Sequence, residues 1–208
     1  ARATAQELNN EWLAARTDIG QGMFYALQGE PGRASPFFES ALVHARIAGD
    51  RWFIRNALDF LGAAVFELGD DNRAATLFAE SLEVSRELGN KNGVAMQLTK
   101  LGTVALRRRD SHQACASLEE ALALRREMGN RRGVLECLWG LGQVAATEGR
   151  LERAARLWGV ALPLHEMLNA RERLTYEDDM SAVRTQLGEA AFDNAHAEGR
   201  AMSVEQAI

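Results

Sequence analysis

Four histidines, two cysteines and two pairs of adjacent acids are the residues of this chain whose types could do chemistry. His165-Glu166 begins like H-E-x-x-H, in which two imidazoles one helical turn apart hold zinc and the Glu moves a proton. The residue four after His165 is Asn169, so the second imidazole is missing. His44, His112 and His196 lie far from it and from one another, so no zinc site is expected. Asp70-Asp71 and Asp178-Asp179 are neighbours in sequence. Adjacent residues on a helix do not face each other, so neither pair is placed for general acid–base work. Asp70-Asp71 instead fits the cap of a following helix. Cys115 and Cys137 stand among apolar neighbours, where buried free thiols are the expectation and a disulfide the less favoured one. Neither a G-x-S-x-G nucleophile motif nor a G-x-x-x-x-G-K-[ST] phosphate loop occurs. The reading is a chain without enzymatic activity, metal or cofactor.

The elements that carry these residues follow a strict repeat. Leu-Gly pairs stand at Leu61-Gly62, Leu101-Gly102 and Leu141-Gly142, a spacing of 40 residues, and Gly22 continues the series backwards. Ala34, Ala74, Ala114 and Ala154 recur in the same register. So do Phe38, Phe78, Leu118 and Trp158, then Ala41, Ser81, Ala121 and Ala161, each followed by Leu. Self-similarity at this period signals an array in which each unit buries its apolar face on the next.

Within a unit, two amphipathic helices are expected. Phe53, Ile54, Ala57, Leu58, Leu61 and Val65 recur at three and four in the first, about Arg51 to Leu68. The second runs from about Asn72 to Leu88. Gly29, Gly69 and Gly149 mark the turns between paired helices, and the third unit has Arg109-Asp110 there. Gly49, Gly89 and Gly129 stand where second helices stop, as a left-handed C-terminal residue requires, with Asn169 in the fourth unit. Short turns force neighbouring helices antiparallel. The expected fold is all-α: a right-handed α-solenoid with units at about 11–50, 51–90, 91–130 and 131–170 and a helical C-terminal cap at 171–208.

Composition bounds the partners. The net charge of −5 with mixed signs argues against a nucleic-acid surface, and Arg107-Arg108-Arg109 reads as a solvated helix end favoured by the dipole. No run approaches the length of about 18 apolar residues that a membrane span needs. No secretory signal is visible, so a cytoplasmic protein is expected. The chain begins on Ala1 rather than Met, as a piece of a longer protein would. At the ends, Thr4 to Asn10 either extends the first helix or forms a short cap. The stretch Arg171 to Leu187 reads as an incomplete fifth first helix, followed by a short helix at Glu189 to Glu198. Ser203 and Gln206 fit a capping box that starts a last short helix folding back on the core.

Leu-Gly, Ala twelve after the Gly, an aromatic at sixteen and a small residue at nineteen resembles the tetratricopeptide repeat. Gly62, Ala74, Phe78 and Ser81 match in register, as do Gly142, Ala154, Trp158 and Ala161. The family's period is about 34, so each unit here is longer, and Arg86 and Arg126 stand near the place of its terminal Pro. The tail from Leu187 to Ile208 resembles the C-terminal ends of bacterial multidomain signalling ATPases and LuxR- and MalT-type regulators. That resemblance implies the sensor arm of such a protein.

The tetratricopeptide resemblance also implies where a ligand sits: on first-helix positions six and three before the Gly and one after it. These are Arg16, Ile19 and Met23; Asn56, Asp59 and Ala63; Met96, Thr99 and Thr103; Glu136, Trp139 and Gln143; and Tyr176, Asp179 and Val183. Aromatics and Met among polar positions suit a protein or peptide partner, with a small-molecule inducer as a second ligand class. Trp139 is the natural anchor if exposed, and core packing is its other reading. The expected function is a non-catalytic interaction and sensor module, with a self-associating scaffold as the alternative.

Overall fold

The computed structural model describes residues 4–162 and 170–208. Among them every regular element is a helix: α1 (Ala5–Leu27), α2 (Pro31–Ala48), α3 (Arg51–Glu67), α4 (Asp71–Glu87), α5 (Lys91–Arg107), α6 (Ser111–Glu127), α7 (Arg131–Thr147), α8 (Leu151–Ala161), α9 (Ala170–Leu187), α10 (Glu189–Ala201) and α11 (Val204–Ala207). The chain forms two compact units, Ala1–Gln97 and Leu98–Ile208. No described helix is long and apolar enough to cross a membrane. Thr4 begins the first helix outright: its hydroxyl accepts from the Glu7 N–H while Glu7 reaches back to the Thr4 N–H.

Stop and start signals are fused into connectors of two or three residues. After α3, Gly69 at φ 88° ends the helix and the Asp70 carboxylate accepts from the Arg73 N–H to start α4. Asp110 does the same for Gln113, Asp50 for Trp52 and Phe53, and Asn90 and Asn130 for Gly93 and Gly133. Each cap satisfies a backbone N–H that has no partner inside its helix. The connector before α6 is the exception, since Arg109 adopts φ 59° where the others have glycine. A Cβ in that conformation costs about 1–2 kcal/mol. Arg109→Gly is therefore expected to add about 1 kcal/mol of stability, read as a higher urea midpoint at unchanged slope. A lower midpoint would show that the arginine side chain contributes more than its backbone costs.

The recurring Gly is where paired helices touch. A Cβ on Gly62 would stand 2.6 Å from the Phe78 ring, and one on Gly102 would stand 2.7 Å from the Leu118 side chain. The bulky residue of each second helix thus lies on the bare backbone of its first helix. Phe38, Leu58, Leu61 and Phe78 are buried in the first unit. Leu118, Leu122, Leu135, Leu138 and Trp158 are buried in the second.

At the C-terminal end it is α10, not α9, that runs closely along α8. A Cβ on Gly159 would collide with the His196 carbonyl, and one on Gly199 with the Arg156 carbonyl. Phe192 and Ala195 of α10 are buried, whereas α9 buries only Val183 among its described side chains. The capping box forms as expected: the Gln206 side chain accepts from the Ser203 N–H at 2.8 Å, and Ser203 accepts from the Gln206 N–H. Arg153 of α8 donates to the Ile208 carbonyl at 3.1 Å, which ties the last turn back to α8.

Candidate binding surface

In the first unit, the residues at groove positions divide by exposure. Arg16 is exposed, with its guanidinium 5.1 Å from the centre of the Trp12 ring. Met23 is exposed and Met96 half-buried, whereas Ile19, Asn56 and Asp59 are buried. Asn56, Asp59 and Ala63 fall at i, i+3 and i+7, one face of α3.

Buried polar atoms gather on this face. Arg55 donates to Asn56 Oδ1 at 2.5 Å, and Gln97 Nε2 donates to Asp59 Oδ1 at 2.9 Å. Arg55 Nε, Asn56 Nδ2 and Gln97 Oε1 are enclosed with no hydrogen-bond partner. Each unmet group of this kind costs about 1–3 kcal/mol. Arg55 and Gln97 were invisible to the groove register: they occupy positions that hold Ala15 and Ala95, and Ala57 and Cys137, in other units. Only their polarity at an apolar core position could have flagged them.

One turn beyond Asp59 on α3 the same face becomes apolar. Met23, Leu27, Phe60 and Ala63 line a cavity of about 200 Å³ together with Pro31 and Phe38. Glu67 places a carboxylate on its wall. Two groove positions forty residues apart, Met23 and Ala63, therefore meet at one pocket.

The second unit is organised differently. Trp139 is 3% exposed, so it is no exposed anchor. Its ring stacks on Trp158 at 4.8 Å and on Tyr176 at 3.8 Å, with interplanar angles of 17° and 12°. Its indole N–H donates to Asp179 Oδ2 at 2.8 Å, and Gln143 Nε2 donates to the same oxygen at 2.8 Å. Trp158 in turn donates to the Trp139 carbonyl at 3.2 Å. Four residues expected to hold a ligand, Trp139, Gln143, Tyr176 and Asp179, thus hold α9 against α7. The reason is geometric: Tyr176 and Asp179 sit about one repeat on from Trp139 and Gln143, and helices in that relation lie side by side. Of the rest, Thr99 contacts Cys137 Sγ at 3.7 Å, Thr103 is exposed, and Glu136 pairs with Arg132 at 3.2 Å.

The reactive side chains have local partners. His44 Nδ1 lies 2.5 Å from Glu11 and its Nε2 3.8 Å from Asp18, so it ties α2 to α1. His165 lies outside the described residues. Both cysteines are free thiols. Cys137 is buried, and burial pushes its thiol up to about 11. Cys115 is only half-buried, a departure from the expected core position, because its helix turns that side partly outward. Burial and the Glu119 carboxylate beside it raise that thiol to about 11 as well. Asp70 caps α4 as expected. Among the described residues no group of three or more His, Cys, Asp or Glu is gathered as metal ligands would be.

No family model matches the sequence, and no curated protein matches it. Solved structures do. BtubC (BKLC) from P. vanneervenii superposes with a TM-score of 0.67 at 18% identity, over 96% of this chain and 93% of that one. A putative kinesin light chain of Podosopora anserina with nearly identical TPR-like repeats gives a TM-score of 0.67 at 14% identity, over 89% and 93%. A variant of that protein gives 0.69 at 13% identity, over 96% of each chain. At these identities the likeness is one of fold: this chain is an all-helical TPR-like repeat protein.

Proposed function

We propose that the chain is a non-catalytic interaction module whose first unit binds an extended protein or peptide segment along the first-helix face. The observation that carries this reading is the apolar cavity lined by Met23, Leu27, Phe60 and Ala63, with Glu67 on its wall. Concave apolar sites with a few polar groups are the usual form of a ligand pocket. A large aliphatic or aromatic side chain fills this one, and a basic residue beside it meets Glu67. Further along, Asn56 Nδ2 of α3 lacks an acceptor and Gln97 Oε1 of α5, whose amide donates to Asp59 of α3, lacks a donor. A peptide main chain has one of each, so binding that draws these side chains out recovers hydrogen bonds the free protein leaves unmade. An apolar small molecule is the second ligand class the cavity suits.

Selection of random twelve-residue peptides displayed on phage tests this reading. Enriched sequences should pair a Leu, Ile, Met or Phe with a nearby Lys or Arg. Ala63→Phe fills the cavity from a half-buried position and should weaken the selected peptides at least tenfold. Failure to enrich any peptide, or equal binding by Ala63→Phe, sinks it. The tail's resemblance to signalling ATPases supports a wider reading, in which ligand binding biases how this module packs on an attached nucleotide-binding module. Such a bias requires different affinities for two arrangements. The complete reading frame tests it: an upstream phosphate loop supports that reading, and its absence favours a free-standing scaffold.

A further inference from the structure

Arg55 places a charge at a position that the other units keep apolar. The residues at the same place in the repeat are Ala15, Ala95 and Leu135. Arg55 is 8% exposed, and its Nε is enclosed with no hydrogen-bond partner. Among the described residues its guanidinium has one partner, the neutral amide oxygen of Asn56. Asp59, one turn further along α3, accepts from Gln97 Nε2. A buried cation without a countercharge opposes folding. Alanine or leucine serves the fold at this position elsewhere in the chain, so the guanidinium calls for a reason outside folding.

Its attachment suits an exchange of partners. The Arg55 carbonyl accepts from the buried Ser81 hydroxyl at 3.2 Å, which anchors the main chain. The side chain is long, and it can leave its stem in the core while the charged end moves outward. One neutral acceptor holds that end in the free protein. A carboxylate offers the guanidinium fork two anionic oxygens, and such charge-assisted bonds are roughly twice as strong as neutral ones. Drawing Arg55 away also releases both ends of the Asn56 amide for a peptide main chain.

We propose that Arg55 receives a carboxylate of the bound peptide, a subsite that rests on the peptide reading of the neighbouring cavity. Ala63 of the cavity stands eight residues after Arg55, about 12 Å along α3. An extended peptide covers that distance in about four residues. Glu67 lies beyond Ala63, a further turn along the helix. The ligand is therefore ordered in charge: an acid for Arg55, an apolar side chain about four residues away for the cavity, and a base beyond it for Glu67. The side chains of Asp and Glu and the C-terminal carboxylate of a peptide share the chemistry that Arg55 requires.

Selection of the displayed peptide library on the parent chain, followed by binding to Arg55→Leu and Arg55→Met, tests the proposal. Enriched peptides should carry Asp or Glu about four positions from the apolar residue, on the side away from the Lys or Arg. Converting that acid to its amide should weaken binding to the parent at least tenfold and leave binding to the two variants unchanged. A C-terminal carboxylate as the source shows instead as a tenfold preference for synthetic peptides with a free C-terminus over amidated ones, again lost in both variants. Urea unfolding separates this role from a folding role. At least one variant should have a midpoint no lower than the parent's at unchanged slope, since an apolar side chain replaces an unpaired buried charge. A lower midpoint in both overturns the proposal, because the charge then serves the fold. Peptides that lose binding to Ala63→Phe yet bind the parent and both Arg55 variants alike overturn the carboxylate subsite and leave the cavity reading standing. A library that yields no peptide overturns both.

Discussion

Trp139→Ala is expected to cost about 3–5 kcal/mol of folding stability, the range for emptying a buried aromatic site. The indole is the middle ring of three, between Trp158 and Tyr176, and is almost fully enclosed. Its removal opens a cavity too enclosed by α7, α8 and α9 to collapse well. It also strips Asp179 of the indole donor, leaving that of Gln143. Trp139→Phe separates these effects. A ring remains between the two neighbours while the N–H is lost, so a cost of about 1–2 kcal/mol is expected. Urea unfolding measures both, and hydrogen exchange over α9 should quicken in Trp139→Ala because Tyr176 loses its stacking partner. A Trp139→Ala variant as stable as the parent, yet unable to bind selected peptides, would restore the exposed-anchor reading.

Gly199→Ala, or equally Gly159→Ala, is the second large effect. The added methyl would meet a backbone carbonyl on the facing helix, Arg156 in one case and His196 in the other. A flexible side chain could move aside, but a carbonyl moves only with its helix. Overpacking of this kind costs about 1–3 kcal/mol, and the upper half of that range is expected because two helices must separate. The loss should be local. Amides of α10 and α11 should exchange faster, while α1 to α4 of the first unit keep parental protection. Parental exchange over α10 in both variants would show that the close approach of α8 and α10 does not hold that end together.

The helices, their caps and their pairing could be read from sequence because the signals are local and repeated. Gly49, Gly69, Gly89, Gly129 and Gly149 take the left-handed conformation where the chain must reverse, and Asp or Asn follows to cap most of the next helices. Gly62 and Phe78, which the structure brings into contact, belong to series that keep a constant separation in every unit. Such features depend on a few neighbouring residues, and a period of forty displays each of them several times.

What only the tertiary structure decided lies where the repeat breaks. Register placed Trp139, Gln143, Tyr176 and Asp179 on a ligand face, but register cannot say whether the next helix covers that face. Packing of α9 covers it, and the predicted anchor becomes core. Gly159 and Gly199 carry no repeat signal, because each answers to the other across space rather than to an equivalent residue one period away. Arg55 and Gln97 stand out in sequence only as polar residues at core positions, and it is the structure that shows them enclosed without full hydrogen bonding. A repeating sequence determines how each helix begins, ends and pairs with its sequence neighbour. Which faces stay open is settled by contacts at the ends of the array, where no equivalent residue foretells the partner.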